Sequence, residues 1–198
     1  MMNHTKKGAT VLEQMYYEEY FEYIPNFLES EFSREMLKVL KEVVNWDSHV
    51  FNFNGKQVPM PRLSKWYGPL PYKYSGIFNP PLDMDDTVHS IMRVIGDIEL
   101  NSCLLNLYRN GRDSIAKHKD NESQMDPHVP IYVVSLGAPR KFIIRSDDGV
   151  YHNFLTVENG SLFVMKPGFQ DIFTHEIPKE PEIETDRISL TYRRVINN

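Results

Sequence analysis

The chain has 198 residues, 41% of them hydrophobic and 25% charged, a net charge of −5 and a single cysteine, Cys103. That length suits one domain with a real apolar core, and one cysteine excludes an intrachain disulfide framework. No apolar run approaches the roughly 18 residues of a membrane span, and the opening MMNHTKKGAT lacks the apolar stretch of a signal peptide. The expectation is therefore a monomer in an intracellular, reducing compartment, cytoplasmic or nuclear, neither secreted nor membrane-bound.

Residues 1–15 read as a flexible polar N-terminus and 16–198 as a single domain. YFEYIPNFL, residues 20–28, reads as a short strand and turn. After Ser30, the residues Phe32, Met36, Leu37, Leu40, Val43 and Val44 recur at helical spacing. From Ser48 to Leu82 there is no acidic residue, while Lys56, Arg62, Lys65 and Lys73 all fall there with six of the thirteen prolines. An acidic chain is a poor general binder of phosphates, so this +4 segment is either a Pro-rich surface loop or a local basic patch. A second helix follows Asp85-Asp86, with Val88, Ile91, Met92, Ile95 and Ile98 as its stripe; carboxylates at its start suit the helix dipole.

From residue 103 the period changes to two. CLLNLY, IYVVSL, KFIIRS, SLFVMK and RISLTYRR are short β-type runs separated by Gly, Pro, Asn and Asp. The fold class is mainly β (α+β): a sandwich, jelly roll or barrel, with the two helices over one outer face.

Alternation assigns faces. In RISLTYRR, Ile188, Leu190 and Tyr192 share one face, and Arg187, Ser189, Thr191 and Arg193 the other. The second set is either an exposed polar face or a cradle for a small dicarboxylate, the anion guanidinium matches best. Asn106 and Tyr108 likewise share a face of CLLNLY, opposite Leu105 and Leu107. His118 and Asp120, at i and i+2 of an extended segment, can reach one ion, and His175, between two strands, is the best third ligand. Two His and one carboxylate suit a non-haem Fe(II) oxygenase, or a zinc hydrolase with water in the fourth position.

NLYRNGRDSIAKHKD, the later His175 and the terminal RISLTYRR together resemble the AlkB family of Fe(II)- and 2-oxoglutarate-dependent nucleic-acid demethylases. PRLSKWYGPLPYKYSG, residues 61–76, resembles the substrate lid of its animal members, and the similarity runs through SLGAPRKFIIR and ENGSLFVMKPG. The resemblance implies a double-stranded β-helix (jelly roll) with a nucleotide-recognition lid at about 50–78. His118, Asp120 and His175 would be catalytic and bind Fe(II). Asn106, Tyr108, Arg187, Ser189, Thr191 and Arg193 would hold 2-oxoglutarate, with Arg187 at its distal carboxylate and Ser189 where the family usually has Asn. O2 would be the oxidant.

On the substrate side, the resemblance assigns Tyr72, Tyr74 and Ser75 to the lid, with the flipped base stacked between Tyr74 and the His118 ring. Trp66 and Tyr67 would be further aromatic contacts, Glu122 would meet the base's exocyclic edge, and Arg62, Lys65 and Lys73 would touch phosphates. Asn54, flanked by Phe51 and Phe53, would stand near the place of an intercalating wedge. The partner implied is methylated DNA or RNA, and the reaction oxidative demethylation of 1-methyladenine and 3-methylcytosine, releasing formaldehyde, succinate and CO2. The alternatives are a 2-oxoglutarate oxygenase of a protein or small molecule, a non-catalytic nucleic-acid-binding module, and a zinc hydrolase.

Overall fold

The computed structural model describes residues 11–53, 55–74 and 76–197. The first element is a helix, α1 (Val11–Glu18), so residues 11–15 are helical rather than frayed. β1 (Phe21–Ile24) follows, then α2 (Ser30–Val43). α2 turns Leu40 and the partly buried Phe32, Met36 and Leu37 inward, and Val44 is buried just past its end. Val43, expected on that stripe, is half exposed, because the apolar face has rotated past it at the last turn.

The acid-free segment is two hairpins around a sheet strand, not one lid. β2 (Val50–Phe53) pairs with β3 (Lys56–Pro59), and β5 (Tyr72–Tyr74) pairs with β6 (Ile77–Asn79). Between the hairpins, β4 (Leu63–Tyr67) is an edge strand of the main sheet. Asn54 and Ser75, the expected wedge position and a lid residue, lie outside the described residues.

α3 (Asp86–Ile95) is capped by the Asp85 carboxylate, which accepts from Thr87 N at 2.8 Å, and stops at Gly96 in the left-handed region (φ 78°). Glycine adopts that conformation without steric cost and so ends the helix there. Val88 and Ile91 are buried, but Ile98 lies beyond the cap and is 94% exposed, so the apolar stripe read through it stops one turn early.

The remaining elements are β7 (Ser102–Tyr108), β8 (Ile115–His118), β9 (Ile131–Gly137), β10 (Arg140–Ser146), β11 (His152–Val157), β12 (Ser161–Met165), the single turn α4 (Phe169–Ile172), β13 (Phe173–Ile177) and β14 (Arg187–Arg193). They build a six-stranded sheet in the order β1-β12-β9-β14-β7-β4 and a four-stranded sheet in the order β11-β10-β13-β8, with every named pairing antiparallel. The architecture is a jelly roll, mainly β, as expected. Leu105, Leu107, Val134, Leu136, Ile188 and Leu190 of the large sheet pack outward with α2 and α3. Tyr108, Ile131, Val133, Phe163 and Met165 face inward and meet Phe142, Ile144, Phe173 and Ile177 of the small sheet. Polar residues on that same inner face open a cavity at one end.

Among the described residues, no helix is long and apolar enough to cross a membrane.

Candidate active site

β13 lies beside β8 with His175 directly opposite His118, so cross-strand register brings the two imidazoles together, ring centroids 4.2 Å apart. Asp120 follows two residues after His118. Its Oδ1 is 3.7 Å from His118 Nε2 and its Oδ2 is 3.8 Å from His175 Nε2. Among the described residues these three form a group able to hold a metal, with one ligand atom from each and all three atoms within 4.8 Å of one another. The His118 Nδ1 lies 2.9 Å from the Ala116 carbonyl. That acceptor fixes the proton on Nδ1 and leaves the Nε2 lone pair to the ion. Asp120 is steadied twice: its backbone N–H donates to Gln170 Oε1 at 2.9 Å, and Arg193 Nη2 sits 2.9 Å from its Oδ1.

The electrostatics suit ligands that must be deprotonated. Burial pushes His175 down to about 3, helped by the neighbouring His118, so it stands as a neutral imidazole at pH 7. Burial works to raise the Asp120 carboxyl, but Arg193 and the two histidines outweigh it and hold the carboxyl below the usual range.

β7 and β14 pair with Tyr108 opposite Arg187 and Asn106 opposite Ser189, so the polar face of each strand continues that of the other. Asn106, Tyr108, Arg187, Ser189, Thr191 and Arg193 all line the cavity that holds the triad. None is exposed; Arg187 and Arg193 are about as buried as core leucines. The polar face of RISLTYRR is thus a cradle, not a solvated surface. Arg187 donates Nη2 to Ser135 Oγ at 2.9 Å, while its Nε and Nη1 are buried without a partner, as is Arg193 Nε. Burial, reinforced by nearby Arg140, depresses Arg187 to about 10. Unused guanidinium donors beside a three-ligand metal cluster fit a chelating dicarboxylate.

The residues expected on the substrate side divide. Tyr72 is fully buried, stacked on Trp66 at 4.5 Å; its hydroxyl donates to Glu122 Oε1 at 2.8 Å and accepts from Arg193 Nη1 at 3.0 Å. A hydrogen-bonded chain therefore runs from Glu122 through Tyr72 and Arg193 to Asp120. Glu122 Oε2 is buried and unpartnered, and Glu122 lines a neighbouring pocket that shares Asp120 with the cavity of the triad. Tyr74 lines the cavity, but its ring meets His118 edge-on at 6.4 Å and 72°, so a base stacked between them requires one ring to turn.

Four of the residues expected at the substrate are turned away from an open surface or already partnered. Trp66 is 2% exposed with its Nε1 given to Leu70 O, so it packs beneath Tyr72 and has no face for a base; Tyr67 is buried too. Lys65 is paired with Asp47 at 3.2 Å on β4. Arg62 is 6% exposed and points inward, donating Nε to Asn106 Oδ1 at 2.9 Å. Of the three cations expected at phosphates, only Lys73 is exposed. Position within a basic run does not report whether a side chain on β4, or in the loop before it, turns inward.

Two further residues escaped the sequence reading. Ser135, which orients Arg187, was visible only as one hydroxyl in the apolar run IYVVSL. Gln170 stands on the single-turn helix α4, too short to leave a periodic signal.

The 2OG-Fe(II) oxygenase superfamily model matches residues 20–193. The human alpha-ketoglutarate-dependent dioxygenase alkB homolog 3 is 31% identical over 187 residues, covering 86% of this chain and 64% of its own length. The mouse DNA oxidative demethylase ALKBH2 is 30% identical over 155 residues, covering 72% of this chain and 65% of its own length. The chain therefore spans just under two thirds of these curated relatives. Among solved structures, that titled "The structure of OsALKBH1" superposes with a TM-score of 0.62 at 13% identity, over 88% of this chain and 98% of that one, which speaks to the fold alone.

Proposed function

The chain belongs to the 2OG-Fe(II) oxygenase superfamily, as a member of the AlkB family, and we propose that it is an Fe(II)- and 2-oxoglutarate-dependent dioxygenase that removes N-methyl groups from nucleic-acid bases. The carrying observation is one cavity that holds both the His118, Asp120 and His175 group and the unpartnered donors of Arg187. A facial group of three protein ligands leaves the other side of the ion open for a bidentate cosubstrate and O2. Bound Fe(II) with 2-oxoglutarate and O2 would supply the oxidation of an N-methyl carbon, with succinate and CO2 as co-products and formaldehyde lost from the hydroxylated methyl.

The chain's own residues do the positioning. Arg187 and Tyr108 hold the far end of the dicarboxylate, and Asn106 and Arg193 flank the end nearer the metal. Thr191 and Ser189 line the floor. Glu122, with one oxygen held by Tyr72, would offer the free Oε2 to an incoming base. A carboxylate there suits 1-methyladenine and 3-methylcytosine, whose rings are cationic, and those lesions also unpair and so are cheaper to extrude. Methylated DNA or RNA is the proposed partner, the working form is a monomer, and a reducing cytoplasmic or nuclear compartment suits the buried free thiol of Cys103.

A panel of oligonucleotides carrying 3-methylcytosine, 1-methyladenine, 5-methylcytosine or no methyl tests this by mass. Loss of the mass of one methylene unit, as N-methyl becomes N–H, is expected from the two cationic lesions alone. Turnover of 2-oxoglutarate with every oligonucleotide unchanged would favour a protein or small-molecule substrate.

A further inference from the structure

Arg62 enters β4 from the preceding loop, yet its guanidinium is buried in the wall of the cavity that Arg187 and Asn106 line. Its acceptors are both neutral: Asn106 Oδ1 at 2.9 Å from Nε, and the Ser114 carbonyl at 3.4 Å from Nη1. Among the described residues, no carboxylate is in ion-pair range of it. A buried guanidinium without an anion is costly, and the cost is relieved when an anion joins it.

Arg193 is paired with Asp120. Arg187 and Arg62 have no carboxylate partner among the described residues, so both add buried positive charge beside a site where a metal ion would add its own, and an anionic ligand relieves it. The contact also fixes an orientation. A guanidinium only donates, so the Asn106 atom facing Arg62 is the amide oxygen, and the amide NH2 is turned the other way. An NH2 offered to a carboxylate or keto oxygen is a donor; the flipped amide would offer an acceptor and repel it.

We propose that Arg62 is a positioning residue for 2-oxoglutarate, locking the Asn106 amide donor-outward and adding a second guanidinium without a carboxylate partner to the cosubstrate pocket. This rests on the 2-oxoglutarate reading of that pocket. It replaces the phosphate contact suggested by sequence.

The test is calorimetric titration of the Mn(II)-loaded protein with 2-oxoglutarate without turnover, for the wild type, Arg62→Lys, Arg62→Gln and Asn106→Ala. Arg62→Gln should weaken 2-oxoglutarate binding about tenfold or more, since a charge-assisted contact is lost. Arg62→Lys, which keeps the charge but not the Nε donor, should fall between. Combined with Asn106→Ala, Arg62→Gln should cost less than it does alone, as coupled partners do. In turnover, the KM for 2-oxoglutarate should rise with the KM for the oligonucleotide unchanged. Thermal melts of the loaded variants separate misfolding from this effect, and Arg62→Lys carries the test if Arg62→Gln does not fold. Wild-type affinity in both folded variants, or a loss confined to oligonucleotide binding, would overturn the role of Arg62 alone. A wild-type protein that does not bind 2-oxoglutarate would overturn the pocket itself, and this inference with it.

Discussion

His175 shows how a residue's surroundings decide what it can do. Its imidazole is held to about 3, first by burial and then by His118, well below the ordinary histidine value near 6.5. The linkage sign follows: the unfolded chain binds a proton at this site below about pH 6.5 and the folded one resists it until about 3. Stability from this group is therefore present above about pH 6.5 and is lost as pH falls toward 3. Asp120, also depressed, adds its own loss below the ordinary carboxylate range. The metal-free protein should thus show a falling denaturant midpoint between pH 6.5 and 4, and His175→Gln should flatten that fall. An equal slope in both proteins would mean that His175 titrates normally. At this scale the sequence spoke clearly wherever strand alternation applied: that Arg187, Ser189, Thr191 and Arg193 share a face follows from period two, while the burial of that face needed the folded chain. It misled where a residue lay off a regular strand, as with Arg62, whose burial depends on a loop turning inward before β4.

Among the elements, the loop 109–114 inside NLYRNGRDSIAKHKD is held against the segment 180–183. Gly111 N donates to Ile183 O at 2.7 Å and Glu180 N donates to Gly111 O at 2.8 Å. A Cβ at Gly111 would stand 1.7 Å from the Glu180 carbonyl oxygen, a backbone atom with no freedom to step aside. Glu180 in turn accepts from the Arg140 Nε at 3.1 Å, and the Arg140 guanidinium lies 5.6 Å from the Tyr108 ring. Gly111→Ala should therefore lower stability by about 2 kcal/mol or more, a size typical of enforced steric clashes, read as a shift in urea midpoint. An unchanged midpoint would show that the two segments part easily. The main strands and both long helices were legible from their periods. β8, β11 and β13 were not, because their apolar residues are broken by His, Lys, Asn, Thr and Glu facing a mixed environment. The lid was read as one segment for a similar reason: β4 shares its Pro-rich, basic composition with the hairpins but pairs with β7.

For the whole molecule, two sheets place an apolar core between them and leave one end of their inner faces polar, so the site is a product of topology that no single motif displays. Order and company of motifs revealed the metal ligands; the chain of contacts from Glu122 to Asp120 needed the folded chain, since it runs out through Tyr72 and Arg193 and back, joining three separate segments. The most direct measurement is the ratio of methyl groups lost from a 3-methylcytosine oligonucleotide to succinate formed, with Fe(II), ascorbate and 2-oxoglutarate, in the wild type and in His175→Ala. The account predicts about one succinate per methyl removed, as the reaction's atom balance requires, and neither product from the variant. Methyl loss that continues without 2-oxoglutarate, or that survives His175→Ala, would contradict it.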